Sequence, residues 1–152
     1  DKSYYLMAPV FSKDPENIKI AIDKLQEFIN SYPESELIND ANELIFELDY
    51  RLEFKEFNIA LQYNVLTDYQ ASIKSFDNFL IDFPGSDLRE KALYHRFDSA
   101  YKLAINSVVW KQQERIENVV NYFNSFKNNY KDSEFLKEME TKMEELVKLN
   151  NI

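Results

Sequence analysis

Phe28 to Ala41 reads FINSYPESELINDA. The same arrangement returns as FLIDFPGSDLREKA over Phe79–Ala92, and more loosely as FKNNYKDSEFLKEM over Phe126–Met139. Each copy carries an aromatic, a proline in two of the three, a spacer, a serine and an acid. Proline ends a helix, and a serine just beyond it can cap the next one. Self-similar turns of this kind mark stacked helical hairpins.

Working outward from these turns, the apolar spacing predicts six helices. Asp14 and Pro15 suit the cap and first position of the first, whose stripe is Ile18, Ile22, Leu25, Ile29 and Tyr32. From Glu36 to Leu66 there is neither Gly nor Pro. Ala41, Leu44, Leu48 and Leu52 form a stripe there, joined by Phe57, Ala60, Leu61 and Tyr63. This predicts one long helix over about 36–66, with a break near Phe54 as the alternative. Thr67 or Asp68 caps the next helix, which carries Tyr69, Ile73, Phe76, Leu80 and Phe83 and ends at Pro84-Gly85. Gly85 there is expected in the left-handed conformation. Ser86 or Asp87 starts a fourth helix, with Leu88, Ala92, Leu93, Phe97, Ala100 and Ala104 inward. An irregular stretch is expected around Asn106–Trp110. Ile116, Val119, Val120, Phe123 and Phe126 mark a fifth helix, and Leu136, Met139, Met143 and Leu146 a sixth.

The expected fold is therefore all-α, a tetratricopeptide-like α-solenoid of about six antiparallel helices, one extra long. It is read as a single domain, with an irregular lead-in over 1–13 and hairpin units over 14–66, 67–106 and 107–150. With Pro84 as the closing proline of the middle unit, Phe76, Ser72, Tyr63 and Ala60 fall at its large, small, aromatic and small positions. The alanines Ala41, Ala60, Ala71, Ala92, Ala100 and Ala104 stand where aromatics of the next helix need room. The intervals between the turns exceed the about 34 residues of a plain unit, the first because the helix over 36–66 is overlong and the second through a lengthened helix and the segment around Asn106–Lys111.

Composition agrees with helices. The 152 residues include 12 Phe and 10 Tyr but one Gly and four Pro. A net charge of -9 argues against nucleic-acid binding and against anionic membrane surfaces. Acids concentrate at Glu34, Glu36, Asp40, Glu43, Glu47, Asp49, Glu53 and Glu56, against Arg51 and Lys55 alone. Such a stretch is a solvated face or a docking face for a basic partner. Cysteine is absent, so no disulfide or thiolate chemistry exists here. No apolar run is long enough to span a membrane.

Little in the sequence supports catalysis. One histidine, His95, cannot make a two-histidine metal site, and it sits within a helical pattern where a structural or surface role is expected. One glycine cannot build a phosphate loop. No enzyme, cofactor or metal is expected. Most aromatics fall on core stripes. Trp110 does not, and it reads as either a hairpin cap or an exposed anchor. Tyr4 and Tyr5 in the lead-in are ambiguous in the same way.

Four consecutive blocks carry a resemblance. FSKDPENIKIAIDKLQEFINSYPESEL, LDYRLEFKEFNIALQY, DYQASIKSFDNFLIDFPGSDLREKALYHRFDSAY and AINSVVWKQQERIENVVNYFNSF stand in the order found in the BamD family. That family is the lipoprotein subunit of the outer-membrane β-barrel assembly machinery, and the last block is similar to its Bacteroidota version. The long-helix block, with Arg51-Leu52, Glu56, Ile59-Ala60 and Tyr63, is the most specific part. The resemblance spans roughly residues 9–146. It implies a non-catalytic scaffold at the periplasmic face of the outer membrane, binding the POTRA region of a BamA-like insertase. Family members have five repeats and a lipidated N-terminal cysteine. This chain lacks that cysteine and is read as the C-terminal portion, with a lipid anchor expected upstream of Asp1. Candidate partner-binding residues are Tyr69, Lys74, Asn78 and Trp110. A Tol-Pal-associated or other periplasmic repeat protein is the alternative, and a glycan-binding helical protein a more distant one.

Overall fold

The computed structural model describes residues 14–150. Six helices, with no strand among the described residues, give the all-α tetratricopeptide-like class expected: α1 (Pro15–Ser31), α2 (Ile38–Val65), α3 (Tyr69–Asp82), α4 (Arg89–Ile105), α5 (Val109–Asn129) and α6 (Leu136–Asn150). The lead-in with Tyr4 and Tyr5 lies outside the described residues.

The repeated turn is one structure used three times. The aromatics closing α1, α3 and α5 are Tyr32, Phe83 and Tyr130, with φ of -131°, -128° and -134°. Each donates its N–H to the carbonyl four residues back, on Phe28, Phe79 and Phe126. Each ring also packs on that phenylalanine, at 5.4, 5.4 and 5.3 Å between centroids. Ser35, Ser86 and Ser133 then accept from the N–H two residues on, at 3.2, 2.9 and 3.1 Å. The third copy does this with Lys131 where the others have proline. The aromatic pair and the serine therefore define the turn, and proline only reinforces it. Gly85 corrects an expectation, because no glycine has a positive φ. Among the described residues the one left-handed residue is Thr67, φ 66°, between α2 and α3. There the N–H of Asp68 reaches back to the Tyr63 carbonyl, and the Asp68 carboxylate caps α3 by accepting from Ala71 N–H at 3.2 Å.

The long helix runs unbroken through Phe54 as α2, so the break does not occur. What changes along it is the apolar spacing. Ala41, Leu48 and Leu52 are buried, then Phe57, Ala60 and Asn64. The step from Leu52 to Phe57 is too long for one helical stripe. Tyr63, expected inward, is partly exposed, and Asn64 takes the buried place. The same position separates two compact units, Asp1–Glu56 and Phe57–Ile152.

In the first unit Ile18 and Leu25 of α1 and Ala41, Leu48 and Leu52 of α2 are buried. Lys19 pairs with Glu56 at 3.2 Å. In the second, Phe57, Ala60, Phe76, Phe79 and Ala92 make one cluster. A larger one joins Leu93, Phe97, Tyr101, Ile116, Val119, Phe126, Met139 and Leu146. Helix α4 packs against α3, α5 and α6. Of the six expected small positions, Ala41, Ala60, Ala92, Ala100 and Ala104 are buried, while Ala71 is only half-buried and Ser72 fills the inner place beside it.

Candidate partner-binding groove

Within the second unit α3 and α5 each offer one four-residue face to a shared groove of about 450 Å³. Gln70, Ile73, Lys74 and Asp77 line it from α3; Lys111, Glu114, Arg115 and Asn118 from α5. Both sets follow the i, i+3, i+4, i+7 spacing of one helical face. Leu103 of α4 is the floor.

The lining holds Lys74, Lys111 and Arg115 against Asp77 and Glu114, a small positive excess in an acidic chain. Asp77 is already engaged by Arg96 at 2.7 Å, and that guanidinium lies 4.0 Å over the Tyr122 ring. Arg115 donates to Ser107 Oγ, which fixes its guanidinium beside the groove. Among the described residues Lys74 and Lys111 have no ion pair. The surface therefore suits an acidic or mixed segment with an apolar contact for Ile73 and Leu103.

Behind the groove a polar network fixes α4 to its neighbours. Asn64 Nδ2 donates to Asp98 Oδ2 at 3.1 Å and Ser99 Oγ at 2.7 Å, and Lys102 donates to Asn64 Oδ1. Ser72 donates to the Ala60 carbonyl at 2.8 Å, so the two small positions touch. Asp98 receives Lys142 at 2.6 Å and Lys102 at 2.9 Å. Burial alone would raise its carboxyl, but the hydrogen bonds from Lys142 and Lys102 hold it below the ordinary carboxylate range. Burial would lower Lys142; Asp98 outweighs it and raises the ammonium. Tyr101 donates to Glu145 at 2.6 Å, and burial with that bond pushes its phenol up to about 12.

His95 is structural. Its ring stacks on Phe76 at 6.1 Å and meets Phe57 and Tyr94 edge-on. Burial lowers its pKa, so it is neutral at pH 7. No cluster of three metal-ligating side chains occurs among the described residues. In the first unit the acidic stretch is partly paired, Glu47 to Arg51 at 2.6 Å and Glu56 to Lys19. Phe46, Tyr50 and Phe54 are exposed within it.

Of the positions nominated from sequence, Lys74 lines the groove. Tyr69 is half-buried and Asn78 exposed on the same helix, neither in the lining; Trp110 is exposed beside Lys111. Lys111 and Arg115 line the groove too, outside the nominated positions. A repeat of the α3 spacing in KQQERIEN was the available signal.

A profile of the YfiO family, described as outer membrane lipoprotein, matches residues 3–109. The chain belongs to this family. The match takes in the α3 wall of the groove and its floor. No match is found among curated proteins. None of the described helices is long and apolar enough to cross a membrane.

Proposed function

We propose that this YfiO-family chain is a non-catalytic scaffold subunit of the outer-membrane β-barrel assembly complex. It works at the periplasmic face and docks the POTRA region of a BamA-like insertase. The groove between α3 and α5 carries this reading: a two-walled surface with Lys74, Lys111 and Arg115 around an apolar floor. Lys74, Lys111 and Arg115 would take carboxylates of the partner, and Ile73 and Leu103 its apolar anchor. Tyr69 and Asn78 flank that α3 face on its two sides.

The test is capture of purified POTRA domains by the chain, measured by titration calorimetry at two salt concentrations. Lys74→Glu with Arg115→Glu is expected to weaken binding by about tenfold or more, with a loss of salt dependence. Wild-type affinity in that variant, with its helicity intact, would overturn the reading.

A further inference from the structure

The two ends of the Phe57–Ile152 unit differ in exposed apolar surface. Three helices run side by side in one direction. Asn64 near the end of α2 bonds to Asp98, Ser99 and Lys102 of α4, and Tyr101 of α4 bonds to Glu145 of α6. The C-terminal ends of α2, α4 and α6 therefore share one edge. That edge exposes Val65, Leu66, Val108, Val109, Trp110 and Leu149, with Val109 83% and Trp110 81% accessible. Its charges are Lys111, Lys148 and Asp68, and Asp68 is occupied as the cap of α3. The opposite edge holds two of the repeated turns. It carries Asp82, Asp87, Glu90, Asp132, Glu134 and Glu138 against Arg89, Lys91, Lys127, Lys131 and Lys137, so its charges nearly balance, and Ile81 is its one large exposed apolar residue among the described ones of this unit.

We infer that the Val65–Trp110–Leu149 edge rests on a phospholipid surface, with Val109 and Trp110 at the boundary between headgroups and acyl chains. Three features favour lipid over a protein partner. The apolar residues sit at the tips of separate turns along one edge, not in a groove. Tryptophan with flanking lysine is the pairing that partitions to that boundary. The local charge is basic, as anionic headgroups require. Of the net charge of -9, the Phe57–Ile152 unit carries only -2, from 12 Lys and Arg against 14 Asp and Glu.

So small a set of side chains binds weakly and reversibly. Its effect is orientation: a chain held near the bilayer would stand on this edge, with the groove of α3 and α5 presented sideways. The inference rests on the membrane-tethered scaffold reading.

Trp110 is the sole tryptophan and there is no cysteine, so the test can be built without removing anything. An Asp1→Cys chain is coupled to maleimide-lipid vesicles of phosphatidylethanolamine and phosphatidylglycerol, with and without brominated acyl chains. Trp110 emission is expected to shift to the blue and to be quenched by the brominated lipid. In Leu66→Glu with Val109→Glu the shift is lost, and vesicle partitioning of the uncoupled chain falls at least about tenfold. Both positions are exposed, and unchanged circular dichroism verifies folding. Trp110 emission unaltered on coupling, or equal quenching in the variant, would overturn the inference. So would a Trp110 shift produced by POTRA domains in the absence of lipid but not by vesicles. POTRA capture by the same variant separates the two readings: retained capture without quenching sinks the edge alone, and quenching without capture sinks the scaffold role alone.

Discussion

Replacing Asp98 with asparagine tests the network that ties α4 to its neighbours. Asp98 is 6% exposed and meets Lys142, Lys102 and Asn64. The variant keeps the shape and removes the charge. Lys102 is the more exposed of the two lysines and can turn to water. Lys142 cannot turn so easily: it lies over the Tyr94 and Tyr101 rings at 5.6 and 5.8 Å. It does keep Glu138 at 3.1 Å. Stripping one partner from a buried pair costs about 3–5 kcal/mol, and the remaining Glu138 contact reduces that to about 2–4. Lys142→Met alone leaves Asp98 with Lys102 and Asn64 and costs about 2 kcal/mol. The double variant buries no orphaned charge, so it should cost at least about 1 kcal/mol less than the sum of the singles. Urea unfolding followed by helical circular dichroism reads all three, with Asp98→Asn moving the midpoint by about 1 M or more. A cost below about 1 kcal/mol for Asp98→Asn, or strict additivity in the double, would refute the network's role.

Three other outcomes are expected. Thr67→Gly should raise stability by about 0.5–1 kcal/mol, since a β-branched residue at φ 66° is strained, whereas Gly85→Ala should change the melting temperature little, because a Cβ there meets nothing. Ala60→Leu should cost about 1–3 kcal/mol, because the residue is fully buried and its carbonyl takes the Ser72 hydroxyl. His95 has a folded pKa below its unfolded value. Its contribution is present above about pH 6.5 and is lost as the pH falls below that, because the unfolded chain binds the proton first. His95→Leu should flatten stability between about pH 5 and 7. A further loss at lower pH belongs to Asp98, whose folded value is also depressed.

Local spacing carried most of the fold. Asp14 and Asp68 cap their helices as expected, whereas Ser35 and Ser86 accept from the N–H two residues on, inside the turn, and α4 starts from Leu88 with no side-chain cap bond; the glycine- and proline-free run from Glu36 to Leu66 is α2 within two residues at either end. Three things were not legible. Phe79 lies off the single 4-3-4-3 stripe of α3 yet is buried, because two adjacent faces of that helix are covered. Tyr63 and Asn64 exchange places, because the apolar spacing slips after Leu52 and an asparagine with three partners can be buried. Asp98 was invisible because its partner Lys142 is far away in sequence, and periodicity does not see across helices. The groove is half legible: Lys74 follows from the spacing of α3, but its facing wall depends on how α5 packs.

The bonds from α4 to α6 bear on how the chain comes apart. In a simple repeat array the terminal unit can fray while the rest stands. Here Asp98–Lys142, Tyr101–Glu145 and Ser133–Glu90 all join α4 to the last hairpin, and Met139 and Leu146 complete its core cluster. Peeling α6 away would open the interior of α4 to water and scatter its counter-charges in one step. The end of this array therefore behaves as part of a single cooperative block, and shortening the chain before Leu136 would loosen the helix that forms the floor of the groove.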